Sequence, residues 1–217
     1  MTTSTSSIST LLFDWDGTLN DSALNGFTAF QKSLDELGVA FTTEFYEANY
    51  SPNWYTMYET LRLPREQWQR ADDLWIHHYG TAPSRLVEGA LETVTELHLR
   101  GYRLGIVTSG SQCRVARELD EMGLSQVFQT VVCNEHITNK KPHPEGLEQA
   151  MRLIGSRPAE CSYVGDAPED IQMGKSAGVH TVAVKSAYPT SKHLLSTGPD
   201  IYLDRISELL THYRGTL

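Results

Sequence analysis

The chain has 217 residues, 40% of them hydrophobic and 21% charged, a balance that excludes a disordered or fibrous protein and suits one core domain carrying a small insertion. Its 18 basic and 27 acidic residues give a net charge of −9, which excludes broad nucleic-acid binding through a basic face. A small phosphate ligand stays admissible wherever a local cation offsets the repulsion. Cys113, Cys133 and Cys161 show no CxxC spacing, Met1 to Ser7 carries no basic residue, and no stretch approaches the ~20 apolar residues of a membrane span. The expectation is a cytoplasmic protein without disulfides, a cysteine zinc site or a membrane anchor.

In chain order, Leu11–Phe13, Leu104–Val107, Val131–Cys133, Tyr163–Val164 and Thr181–Val184 are short apolar runs that predict buried strands. Between them lie apolar residues at helical spacing: Leu91, Val94 and Leu97; Val115, Leu119 and Met122; Leu147, Ala150, Met151 and Ile154. Gly101, Gly123, Gly155 and Gly178 fall where those helices should stop. Alternation of this kind predicts an α/β fold with a Rossmann-like, mostly parallel sheet, whose sites lie beyond the carboxyl ends of the strands.

One stretch breaks the alternation. Residues 22–84 show helical patterns and no strand, with a stripe of Leu24, Phe27, Phe30, Leu34 and Leu37 ending at Gly38. A second helix is expected after Pro64, with Trp68, Ala71, Leu74 and Trp75 on one face. The predicted organisation is an α/β core of residues 1–21 and 85–217, with 1–8 a flexible tail, and a helical cap of residues 22–84. An insert placed there sits over the end of the first strand as a lid, hinged near Asn20–Ser22 and Pro83–Gly89. Its aromatics are read chiefly as the insert's own core, with one or two facing a substrate.

Four clusters at predicted strand ends carry chemistry. Asp14 and Asp16, in Asp14-Trp15-Asp16-Gly17-Thr18-Leu19, alternate along the chain and can approach one centre as it leaves the sheet. Two such carboxylates need a cation, a shared proton or separate roles. Thr108-Ser109-Gly110 offers a hydroxyl and backbone N–H groups at the mouth of a helix, an anion nest or an ordinary helix cap. Lys141, in Lys140-Lys141-Pro142-His143-Pro144, is a cation on a stiff backbone, and His143 is left aside. Asp166 and Asp170 bracket a helix start at Pro168, and with Asp14 and Asp16 they form the hard oxygen set that Mg²⁺ prefers.

Taken in order, these clusters resemble the haloacid dehalogenase superfamily, and Asp16–Ser22 with the helical insert looks most like its phosphoglycolate-phosphatase-like group. The resemblance implies a Mg²⁺-dependent phosphomonoester hydrolase acting on a small phosphorylated metabolite, a monomer or weak homodimer. It implies Asp14 as nucleophile forming an aspartyl phosphate, and Asp16 as general acid and base. Mg²⁺ would be held by Asp14, the Asp16 backbone carbonyl and Asp166, with Asp170 as ligand or support. Thr108, Ser109, Gly110 and Lys141 would hold the phosphoryl oxygens. Asp16 speaks against carbon–halogen and phosphonate chemistry, where the leaving group needs no proton. A sugar-phosphate mutase of the same superfamily, resembling beta-phosphoglucomutase, shares the pair and stays open. A non-catalytic phosphoacceptor or binding module is the remote alternative. Arg62 or Arg65 is the candidate for a second anionic group on the substrate, although arginines beside a helix start are more often surface residues.

Overall fold

The computed structural model describes residues 8–80 and 82–215. The tail expected at 1–8 therefore lies outside the described residues except for Ile8, which packs against the core. Six parallel strands form one sheet in the order β3-β2-β1-β4-β5-β6. They are β1 (Thr10–Phe13), β2 (Arg103–Val107), β3 (Thr130–Val132), β4 (Cys161–Gly165), β5 (His180–Val184) and β6 (Ile201–Leu203). The five expected strands are present, with β3 one residue earlier than its apolar run. Strand β6 was not expected, because three residues between a loop and a turn leave no run to see.

β1 lies between β2 and β4, with Thr10 opposite both Arg103 and Cys161. Every one of its residues is buried, and alternation splits them between two cores. Leu11 and Phe13 join Val94, Leu97 and Ile106 on the face covered by α5 (Ala90–Leu99) and α6 (Gln112–Glu121). Leu12 joins Val107, Leu147 and Tyr163 on the face covered by α7 (Glu145–Ile154) and α8 (Pro168–Ala177). The chain runs outward from β1 to β3 and then returns to β4, so the order reverses between β1 and β4. A crevice opens at such a switch point, beyond the carboxyl ends of the strands.

Residues between β1 and α5 form α1 (Ala23–Glu36), α2 (Thr43–Asn49), α3 (Trp54–Thr60) and α4 (Trp68–Gly80). They bury Phe30, Tyr46, Met57, Tyr58, Leu63 and Ala71 in a cluster of their own. The expected stripe of α1 faces inward at Phe27, Phe30, Leu34 and Leu37, but Leu24 is 75% exposed, and Gly26 and Ala29 join the buried face. Gly26 lets α4 approach, and its carbonyl accepts the Trp75 indole N–H at 3.3 Å. In α5, Val94 and Leu97 are buried as expected, while Leu91 is exposed and Ala90 buried.

The two crossings between this helical segment and the sheet lie side by side. Asp21 N–H donates to Arg85 O at 2.8 Å and Val87 N–H to Leu19 O at 2.9 Å. Among the described residues no helix is long and apolar enough to cross a membrane.

Candidate active site

The carboxyl ends of β1 and β4 bring Asp14, Asp166 and Asp170 together, with one carboxylate oxygen of each within 4.8 Å of the others. All three are buried. Gly17 makes the approach possible: its φ of 84° suits glycine, and a side chain there would run into the Asp166 carboxylate. Thr18 donates its hydroxyl to Asp166 Oδ1 at 3.0 Å.

Lys141 enters this cluster from the loop before α7. Its Nζ lies 2.5 Å from Asp14 Oδ1 and 2.7 Å from Asp170 Oδ1. Lys140 turns away and donates to Asn134 O at 2.6 Å, closing its own loop. His143 also stays out: its Nδ1 accepts the Glu145 N–H at 3.2 Å. Asp170 is heavily used by the fold. Oδ1 also accepts from Tyr163 OH at 3.2 Å, and Oδ2 accepts the backbone N–H groups of Asp166 at 3.2 Å and Ala167 at 3.0 Å.

Burial pushes the Asp14 carboxyl up to about 7, against the pull of Lys141 and with the help of Asp170. Burial and then the charges of Asp14 and Asp170 push Asp166 well above the usual carboxylate range. Acids crowded this way are missing positive charge, which a divalent cation would supply. The donor set fits Mg²⁺: Asp14 and Asp166 offer hard oxygens, while Asp170 has committed its oxygens to Lys141, Tyr163 and two backbone amides.

Asp16 is directed elsewhere. Its carboxylate takes a two-pronged contact from Arg114, at 2.9 Å and 2.5 Å. Burial raises its pKa, but the charge and hydrogen bonds of Arg114 outweigh burial and the net shift is downward. Arg114 also pairs with Glu118 at 3.1 Å and lies over the Tyr79 ring at 4.9 Å. Glu118 is fully buried and accepts from the Trp15 indole at 2.7 Å.

Neither Arg114 nor Glu118 was singled out in the sequence, where they look like an ordinary i, i+4 pair on a solvated helix. The available signal was Glu118 itself: it lies three residues from Val115 and beside Leu119, so a charge falls on the apolar stripe. Arg62 and Arg65 do not line the cavity over the cluster. Arg65 is exposed and pairs with Glu59 at 3.4 Å.

Thr108, Ser109 and Gly110 line that cavity beside the acid cluster. Thr108 Oγ1 accepts the Gly110 N–H at 3.0 Å, which folds the loop tightly after β2. The cavity measures about 280 Å³ and extends up into the helical segment.

The haloacid dehalogenase-like hydrolase family model matches residues 11–184, the span that holds every one of these groups. The chain belongs to the haloacid dehalogenase-like hydrolases. Among them it sides with the phosphatases. It is 31% identical over 227 aligned residues to the pyrophosphatase PpaX of Listeria welshimeri, covering 97% of this chain and 98% of that one. In fold it is similar to a haloacid dehalogenase-like hydrolase from Bacteroides fragilis, with a TM-score of 0.85, 24% identity and coverage of 93% and 99% of the two chains. It is likewise similar to a predicted phosphoglycolate phosphatase from Haemophilus somnus, with a TM-score of 0.82, 22% identity and coverage of 94% and 97%.

Proposed function

We propose that the protein is a Mg²⁺-dependent phosphomonoester hydrolase that acts on a small phosphorylated metabolite through an aspartyl-phosphate intermediate. The observation that carries this reading is the separation of two acids only two residues apart. Asp14 points into the acid cluster beside Lys141, and Asp16 points at Arg114. One group is placed to meet phosphorus and the other to handle a proton.

In the first step an Asp14 carboxylate oxygen attacks phosphorus, the ester P–O bond breaks, and Asp16 gives a proton to the departing alcohol oxygen. In the second step Asp16 takes a proton from water, whose oxygen attacks phosphorus. The bond to Asp14 breaks and phosphate leaves. Arg114 favours the ionised Asp16 that the second step needs, so delivery of the first proton requires Asp16 to exchange that contact for one with the substrate oxygen. Lys141 balances the charge of Asp14 and of the phosphoryl group, and Thr108, Ser109 and Gly110 bind its oxygens. Mg²⁺ held by Asp14, Asp166 and the Asp16 backbone carbonyl would bring two anions together and offset charge during transfer. Asp170 supports by fixing Lys141 and the turn at Asp166.

Residues 22–84 act as the cap, with the paired crossings at Asn20–Ser22 and Pro83–Gly89 as hinges. The mutase alternative is less well supported, since a sugar bisphosphate would bring a second phosphate to a cavity whose two cations are both paired with acids. The test is a panel of phosphate esters and pyrophosphate assayed with Mg²⁺ and with a chelator. Release of inorganic phosphate that stops on chelation is expected. Undiminished turnover in chelator overturns the metal assignment, and an isomerised sugar phosphate as product overturns hydrolysis.

A further inference from the structure

The end of the cavity away from the acid cluster is walled by aromatic rings and one carboxylate. Trp54, Tyr55 and Tyr58 line it together with Asp72 of α4. Asp72 is half-buried and holds all three rings by their donors: Trp54 Nε1 at 3.0 Å, Tyr55 OH at 3.0 Å and Tyr58 OH at 3.1 Å. A carboxylate has about four acceptor directions, so one is left for a ligand. Stacking of Tyr55 on Trp68 at 5.0 Å keeps the wall in place.

The charge inventory of the cavity is one-sided. Among its described lining residues six are carboxylates and only two, Lys141 and Arg114, are cations. Each cation already lies between two acids. The acids at the sheet end have Lys141, Arg114 and the proposed Mg²⁺ to answer them, but Asp72 has no ion pair among the described residues. A leaving group with a second negative charge would meet Asp72 and ring faces, whose quadrupoles also repel anions. A positive group would be attracted by both.

We propose that the alcohol half of the substrate is positively charged: the cavity selects the phosphate monoester of a small amino or quaternary-ammonium alcohol, its ammonium seated beside Trp54 and Tyr55 against Asp72. This rests on the phosphatase reading and narrows it to a substrate class. The chemistry is unchanged. The phosphorus–oxygen bond to the amino alcohol breaks, that oxygen leaves with the alcohol and one proton, and the phosphoryl group passes to Asp14 and then to water.

The experiment measures kcat/KM of the full chain with Mg²⁺ on phosphocholine, on dimethylbutyl phosphate as its neutral carbon isostere, on phosphoglycolate, on pyrophosphate and on p-nitrophenyl phosphate. Phosphocholine should exceed its neutral isostere by about tenfold or more, the size expected when a cation meets aromatic faces and a carboxylate. The two substrates with anionic leaving groups should fall below both. In Asp72→Asn the ratio of phosphocholine to isostere should drop toward one. Because that ratio is taken within one preparation, loss of folded protein cancels from it.

A wild-type ratio near one, or a preference for phosphoglycolate or pyrophosphate, overturns the cation assignment while p-nitrophenyl phosphate turnover upholds the phosphatase reading. An unchanged ratio in Asp72→Asn overturns the role of Asp72. Failure to hydrolyse any of the five defeats the phosphatase reading and the proposal with it.

Discussion

Lys141, at the sheet end of the cavity, holds two carboxylates within 2.7 Å, whereas Asp72, at the helical end, holds three ring donors and, among the described residues, no ion pair. The sheet end is a set of buried charges in contact, Lys141 with Asp14 and Asp170, Arg114 with Asp16 and Glu118, in which acids outnumber cations. Removing one member of such a set strands the others, and a stranded buried charge costs about 3–5 kcal/mol. The helical end is built from rings and hydrogen bonds from neutral donors to one carboxylate, each worth about 1.5–3 kcal/mol where buried and less where water can replace the donor. One end therefore tolerates almost no change and the other tolerates a good deal. A fold divided this way can keep one reaction while its leaving-group preference drifts.

Asp14→Asn should break the sheet end most completely. The amide keeps the shape of the side chain but cannot attack phosphorus, so turnover should fall by about a thousandfold or more. Far-ultraviolet circular dichroism should stay that of the parent. Appreciable residual activity in a metal-replete assay would remove Asp14 from the nucleophile role.

Asp16→Ala separates proton handling from phosphoryl binding. The rate on alkyl phosphates, whose alkoxide leaves poorly without a proton, should fall by about a hundredfold or more. On p-nitrophenyl phosphate, whose leaving group needs little help, the loss should be clearly smaller. Equal losses on the two would defeat the acid assignment.

Arg114→Ala, which also frees Asp16, is read through stability. It leaves Glu118 fully buried with hydrogen bonds from Trp15 and Asn20, and with Arg117, half-exposed and 3.9 Å away, as its remaining charged partner. Unfolding free energy should drop by about 3–5 kcal/mol, read from the urea midpoint. Arg114→Lys should fall between, since one ammonium cannot span the two carboxylates that the guanidinium fork reaches. A change in midpoint too small to resolve would mean that Glu118 is satisfied by its remaining partners alone.

The same division explains what the sequence disclosed. Asp14, Asp16, Lys141, Asp166 and Asp170 stand directly after apolar runs or beside prolines, where a polar residue contrasts sharply with its neighbours. The alternation of runs and helical stripes likewise specifies the parallel sheet. Arg114 and Glu118 escaped notice because their partners, Trp15, Asp16 and Asn20, are about a hundred positions away, and burial of a helical charge depends on what the helix packs against. Asp72 escaped for the same reason, being one of two adjacent acids on α4 of which only one turns toward Trp54, Tyr55 and Tyr58. Strand β6 is too short to carry a period, and Leu24 starts a stripe whose other members turn inward while it stays exposed. Strand-end chemistry is local, and the pairing that tunes it is not.

The smallest expected effects make the sharpest comparison, because the same deletion can be made at both ends. Thr18→Val and Tyr55→Phe each remove one hydroxyl that donates to a carboxylate, to Asp166 at 3.0 Å and to Asp72 at 3.0 Å. Tyr55 is 38% exposed, so water replaces the lost donor and the stability cost should stay within about 1 kcal/mol. Thr18 is fully buried and Asp166 is only 3% exposed, so water replaces the lost donor less readily. That change should cost about 1–3 kcal/mol, and it should raise the Mg²⁺ concentration for half-maximal activity as Asp166 loses its orienting contact. Tyr55→Phe should leave that Mg²⁺ requirement where it was. If both variants shift the Mg²⁺ requirement alike, the two ends of the cavity are coupled, and the independence argued from their separate networks is wrong.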